Sequence, residues 1–201
     1  MKKAVFLFFS ILMMATSNAQ SADSFYEAGI QKMNNSKITE AIADFNEALS
    51  LNPVHIASLN SRAHAREIQE DYLSAISDYT LVLSINPKLA TAYFKRGNAK
   101  KKMGDYTGAL LDYQKIMELN PKVTYPLMNI GATKFLLEDF QGAIDSYSLA
   151  INLNPSFADA YFKRGFARIK LGQKQGACAD FDKAKKLGNP SAEDALNKNC
   201  N

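Results

Sequence analysis

The side chains best equipped for chemistry are few, and their spacing does not assemble them. His55 and His64 stand nine residues apart, which on a helix puts them on opposite faces and not in reach of one metal ion. Cys178 and Cys200 are separated by 22 residues. That is far from the Cys-x-x-Cys spacing of a catalytic dithiol and suits a structural staple. Carboxylates are scattered along the chain, and no phosphate-cradling glycine loop, nucleophile elbow or zinc-protease motif is present. The residues therefore point to a non-catalytic protein with no metal site and no cofactor.

The amino terminus is a different kind of text. Lys2 and Lys3 precede an apolar run at 4–15, followed by polar residues with small Ser17 and Ala19 two apart. This is the layout of a secretory signal peptide, expected at 1–19 and cleaved after Ala19. Twelve apolar residues fall short of the roughly 20 needed to span a bilayer. A lipid-modified terminus would need a cysteine at the cleavage point, and none precedes Cys178. A soluble, exported chain with no stable membrane span after cleavage is expected. The formal charge is +4, and removal of Lys2 and Lys3 leaves +2. Such a balance argues against nucleic acid as a partner, because phosphate binding needs a dense basic stripe.

The elements that position everything else are written in a repeat. The string YFKRG occurs at 93–97 and again at 161–165, and Asn-Pro recurs at Pro53, Pro87, Pro121 and Pro155, each step 34 residues. In phase with these prolines run Ala41, Ala75, Ala109 and Ala143, then Phe45, Tyr79, Tyr113 and Tyr147, and earlier Gly29, Ala63, Gly97 and Gly131. A fifth copy shows Gly165, Ala177, Phe181 and Ala184. Small and aromatic residues at this spacing line one helix face. Gly104 and Gly172 sit where a first helix would end, and the prolines close the second. Each copy reads as helix, tight turn, helix, turn.

In these residues the chain resembles the tetratricopeptide repeat family. The resemblance implies an all-α, right-handed superhelical solenoid of antiparallel helix pairs. Five repeats are expected over 20–187 (22–55, 56–89, 90–123, 124–157 and 158–187), with a capping helix at 188–201. The short leader and the spelling of the repeats resemble those of bacterial envelope proteins. The periplasm, or secretion, of a Gram-negative-like bacterium is the expected location.

The family also implies a concave wall, lined by first helices, that receives a protein or peptide ligand. Here it would comprise Tyr26 and Ile30, Asn60 and His64, Phe94, Lys95 and Asn98, Met128, Asn129 and Phe135, and Phe162, Lys163 and Phe166. Aromatics would fill side-chain pockets, amides would hold backbone groups and lysines would attract carboxylates. Some members clamp a carboxyl-terminal carboxylate. Asn98, Asn129 and Lys163 match that clamp, whereas Phe94 and Asp159 stand where lysines are expected, so only part of it is present. The alternative role is a structural subunit of an envelope assembly, joined through solenoid ends or the convex face. The sequence leaves the oligomeric state open.

The carboxyl end carries its own signals. Ser191-Ala-Glu-Asp194 reads as a helix start with a capping-box variant, and Ala192, Leu196 and Cys200 share a stripe. So short a helix is marginal alone. Cys178, next to Ala177 on the last second helix, should face it, and a Cys178–Cys200 disulfide is predicted, in keeping with export to an oxidising compartment.

Overall fold

The computed structural model describes residues 21–200, so the leader expected at 1–19 lies outside the described residues. Every regular element among the described residues is a helix. The pairs are α1 (Ala22–Asn34) with α2 (Ile38–Leu51), α3 (Ile56–Ile68) with α4 (Tyr72–Ile85) and α5 (Ala90–Lys102) with α6 (Tyr106–Leu119). Then come α7 (Tyr125–Leu136) with α8 (Phe140–Leu153), α9 (Ala158–Lys170) with α10 (Lys174–Lys186), and a single α11 (Ala192–Asn199). Each helix packs on its chain neighbours, and α1 meets α3 and α7 meets α9 across the pairs. The result is a right-handed superhelical solenoid of five helix pairs ended by one further helix.

The aromatic and glycine columns explain how the two helices of a pair approach. Phe45, Tyr79, Tyr113 and Phe181 are fully buried. Burying a ring of this kind stabilises by roughly 2–3 kcal/mol relative to leaving it in water. Each ring lies against the small residue of the facing first helix. A Cβ added to Gly131 would stand 2.5 Å from Tyr147 Cε1, and Gly29, Gly97 and Gly165 meet Phe45, Tyr113 and Phe181 as closely. Apolar clusters run on from one pair to the next. Leu49 of α2, Leu59 of α3, Val82 and Leu83 of α4 and Ala92 of α5 form one such cluster. The array is thus held by contacts between neighbouring pairs, none of which could bury its apolar face alone.

The turns follow from local chemistry. The residue ending the tight turn is left-handed in all five pairs: Gly104 (φ +82°) and Gly172 (φ +72°), but also Ser36, Glu70 and Glu138 at φ 60–61°. Asp71, Asp105 and Asp139 then cap α4, α6 and α8 by accepting from the backbone N–H of Ser74, Gly108 and Gly142. The Asn of each Asn-Pro folds over its proline. The side-chain oxygens of Asn52, Asn86, Asn120 and Asn154 accept from the N–H two residues on, at 3.1–3.2 Å.

A buried ion ladder, unforeseen in the sequence, gives the arginine of YFKRG its role. Asp112 is almost fully buried and accepts from Arg96 Nε (3.0 Å) and Nη2 (2.7 Å), with Lys100 Nζ at 3.0 Å. Arg96 Nη1 also donates to Thr80 of the preceding pair at 3.1 Å. Asp78 repeats this with Arg62, Arg66 and Asn46, and Asp180 with Arg164, Arg168 and Ser148. One guanidinium therefore ties three helices. In the fourth pair Ile130 and Ser146 replace the arginine and the aspartate together, and Lys134, in the slot of Lys100, turns to Asp139 at 3.9 Å.

The carboxyl-terminal cap forms as expected in most respects. Cys178 and Cys200 are disulfide-bonded with their Cα atoms 5.7 Å apart. Ala192 and Ala195 are buried, and Ala195 joins Ala177 and Phe181 in a cluster flanked by Leu196 and Cys200. Lys185 and Glu193 make an ion pair of 2.6 Å across the junction. The capping box does not form. Ser191 has helix-like dihedrals (φ −96°, ψ −3°) and its side chain makes no cap bond, while its N–H, which the Asp194 carboxylate would accept in a capping box, goes to the Asn189 side chain at 3.0 Å.

Candidate partner-binding groove

Every wall residue expected from the sequence lies on a first helix, α1, α3, α5, α7 or α9. Their depths differ. Tyr26 and Ile30 pack beside Phe45, and Tyr26 also stands edge-on to His55 at 5.6 Å. Asn60 is half-buried and His64 exposed, with the His64 ring 3.5 Å from Glu67. Phe94 meets Tyr125 edge-on at 5.0 Å. Met128 lies between the clusters around Ile151 and Ile144. Several of these residues thus serve the inter-pair core as well as the wall.

The amides are engaged within the protein. Asn98 Oδ1 accepts from the Tyr113 hydroxyl at 2.7 Å. Asn129 Oδ1 accepts from Lys101 at 3.1 Å, while its Nδ2 donates to the Tyr125 carbonyl at 2.9 Å. Asp159 accepts from Asn189 at 2.7 Å. A carboxylate clamp built on Asn98 and Asn129 would have to take Asn129 Nδ2 from the Tyr125 carbonyl, while the Asn98 bond uses only its Oδ1.

Four of the expected residues come together in one place. Phe135, Phe162, Lys163 and Phe166 line a cleft of about 410 Å³ between α7 and α9, with Ala132 and Leu136 on its α7 side and Tyr147 of α8 also lining it. Phe162 and Phe166 are edge-on at 5.0 Å and both lean on Phe181. The same two rings line a second hollow, of about 310 Å³, shared with Asp194 and Lys198 of α11. The stapled cap helix therefore borders the same two rings. Tyr26, Ile30, Asn60 and His64 are not part of either hollow.

The electrostatics of this face are one-sided. The arginines of the ladder are neutralised by their aspartates. Lys95, Lys101 and Lys163 have no carboxylate partner among the described residues. Burial, followed by repulsion from Lys102 and Lys163, lowers the Lys101 ammonium below the usual lysine value. Burial also pushes the phenols of Tyr79, Tyr113 and Tyr147 well above the usual tyrosine value, so they stay protonated and can donate.

The sequence reading passed over Tyr147, taking it as one more interior ring. The signal was available. The Tyr79 hydroxyl donates to Glu67 at 2.8 Å and the Tyr113 hydroxyl to Asn98. In the fourth pair those two partner slots are Phe135 and Ala132.

Residues 90–123 and 159–187 match family models described as tetratricopeptide repeat, and residues 131–172 match one described as TPR repeat. The chain belongs to the tetratricopeptide repeat family. Solved TPR structures share its fold. A crystal structure of MamA protein superposes with a TM-score of 0.78 at 20% identity, over 86% of this chain and 94% of that one. YrrB, described as a TPR protein with an unusual peptide-binding site, gives 0.74 at 18% identity over 90% and 94%. A tetratricopeptide repeat protein from Parabacteroides merdae ATCC 43184 gives 0.69 at 19% identity over 92% and 86%. No curated protein sequence matches this TPR chain.

Proposed function

We propose that this TPR chain is an exported, non-catalytic interaction scaffold that holds a partner's peptide or helix in its concave groove. The observation that carries the reading is the cleft between α7 and α9. Its partly exposed aromatic rings and a lysine without a carboxylate partner among the described residues form an apolar hollow with a basic rim. The peptide-binding site described for YrrB, which shares the fold, agrees with it. Export rests on the apolar leader pattern and on the Cys178–Cys200 disulfide, a bond that persists in oxidising compartments. The test is a crosslinked pull-down from the native envelope with Phe94 and Phe135 both changed to Ala. Loss of captured protein supports the groove; unchanged capture refutes it.

A second reading, a subunit of an envelope assembly, draws on a different surface. Leu73 and Leu81 of α4 and Leu111 of α6 are exposed by 47–69% on second helices. Sedimentation separates the two. A monomer that captures peptide fits the scaffold, and an oligomer dispersed by Leu111→Asp fits the subunit.

A further inference from the structure

The fourth pair departs from its neighbours at several linked positions. Ile130 and Ser146 replace the ladder pair, and Ala132 and Phe135 replace the residues that would receive a tyrosine hydroxyl. Yet the aromatic slot keeps a tyrosine, Tyr147, where the first and fifth pairs hold Phe45 and Phe181. The residue as a whole is only 2% exposed. Its hydroxyl has no hydrogen-bond partner among the described residues, and it is not sealed in the core, because Tyr147 lines the cleft. The hydroxyl therefore reaches solvent through the cleft, where a ligand acceptor can take the place of water, whereas the first and fifth pairs fill this slot with phenylalanine.

Resting on the groove reading above, we infer that the α7–α9 cleft is a specificity site for an apolar–acidic peptide segment. One or two adjacent aliphatic or aromatic side chains enter between Phe135, Phe162 and Phe166. An acceptor oxygen of the ligand takes the Tyr147 hydroxyl proton at the floor. A neighbouring Asp or Glu side chain pairs with Lys163 at the rim.

Three features support this occupant. A cleft of about 410 Å³ exceeds a single side chain and falls in the range of ordinary ligand sites. Lys163 at the rim has no carboxylate partner among the described residues, and neither has Lys101, so an incoming acid meets positive charge that the protein itself does not neutralise. The Asn129 Nδ2 that could read a terminal carboxylate is already donated to the Tyr125 carbonyl, and Phe94 and Asp159 stand where the clamp needs lysines, which favours an internal peptide segment over a chain end.

The test uses the full, oxidised chain and short synthetic peptides blocked at both ends. Their central pair is varied between Leu-Phe, Ser-Ser and Lys-Lys, and the flanks between Asp, Ser and Lys. Preference for Leu-Phe with Asp flanks is expected. Tyr147→Phe should weaken that peptide about tenfold, the value of one good hydrogen bond in a dry site, and leave thermal stability unchanged or raised. Lys163→Glu should abolish the preference for Asp flanks. Equal affinity of the wild type and Tyr147→Phe, or a preference for Lys flanks, overturns the inference while leaving the groove reading intact, since peptides still bind. If no peptide binds and the envelope pull-down is also empty, the groove reading itself fails.

Discussion

The ion ladder makes a quantitative prediction, because the protein contains its own control. Asp112 holds Arg96 and Lys100, whose side chains are only 16% and 19% exposed. Changing Asp112→Ser leaves two cations in a largely desolvated slot, and breaking a buried pair in this way costs about 3–5 kcal/mol. The partial exposure of both cations points to the lower end, about 3 kcal/mol. The fourth pair shows an uncharged alternative, Ile130 with Ser146, in the same slots. The double change Arg96→Ile with Asp112→Ser copies it, and replacement of a buried pair by apolar packing is often close to neutral. It should cost about 1 kcal/mol or less, which makes the double variant about 2 kcal/mol more stable than Asp112→Ser alone. Urea unfolding followed by far-ultraviolet circular dichroism measures this. With a slope near 2 kcal/mol/M, the single variant should shift the midpoint down by about 1.5 M. A single variant within about 1 kcal/mol of wild type, or a double variant no better than the single, would refute the claim that the ladder fixes register by mutual neutralisation.

Three further outcomes follow from the turns and the cap. Glu138→Gly should raise stability by about 0.5–1 kcal/mol, because Glu138 is held at φ 60° where Gly104 and Gly172 sit without a Cβ; a lower melting temperature would contradict this. Cys200→Ser should lower stability by about 3 kcal/mol in the loop-entropy account of a 22-residue closure, and amide exchange in α11 should become fast, which unchanged protection of Ala192–Asn199 would disprove. Hydrogen bonds from the Ser74 side chain and backbone hold the Asp71 carboxyl below its ordinary 3.8. Its contribution as a helix cap is therefore complete above pH 3.8 and fades as pH falls through the lowered value, so the melting-temperature gap between wild type and Asp71→Asn should close on acidification.

The features legible in the sequence were those carried by one residue type in one slot. Proline and glycine stop helices wherever they occur, and a glycine opposite an aromatic permits close approach, so Gly97 with Tyr113 could be read from spacing alone. The pairing of Cys178 with Cys200 needed only the helix period and the absence of other thiols. What stayed hidden depends on which second-helix face meets which first helix. Arg96 and Asp112 are 16 residues apart, as are Arg62 and Asp78, and Arg164 and Asp180. The recurrence was visible, but ion pairs across a helical hairpin cannot be told from solvated charges until the hairpin is closed. The Ser191 capping box failed for a related reason: Asn189, two residues upstream, competes for the same N–H.

The groove was legible as a wall and illegible as a site. The helix period assigns Ile30, His64, Asn98, Ala132 and Phe166 to one column, but it does not say how deep each side chain sinks. That depth depends on the ring behind it. Asn98 closes over Tyr113 and is bonded to it, whereas Ala132 is too short to cover Tyr147. Phe166, one repeat further on, stands as the opposite wall and leans on Phe181. The cleft therefore exists because one small residue, in a column of larger ones, uncovers a hydroxyl that Tyr79 and Tyr113, in the same slot, bond to their own neighbours. A change of Ala132→Asn restores the partner found in the third pair. It should fill the cleft, bond Tyr147 and remove peptide capture while leaving the solenoid more stable.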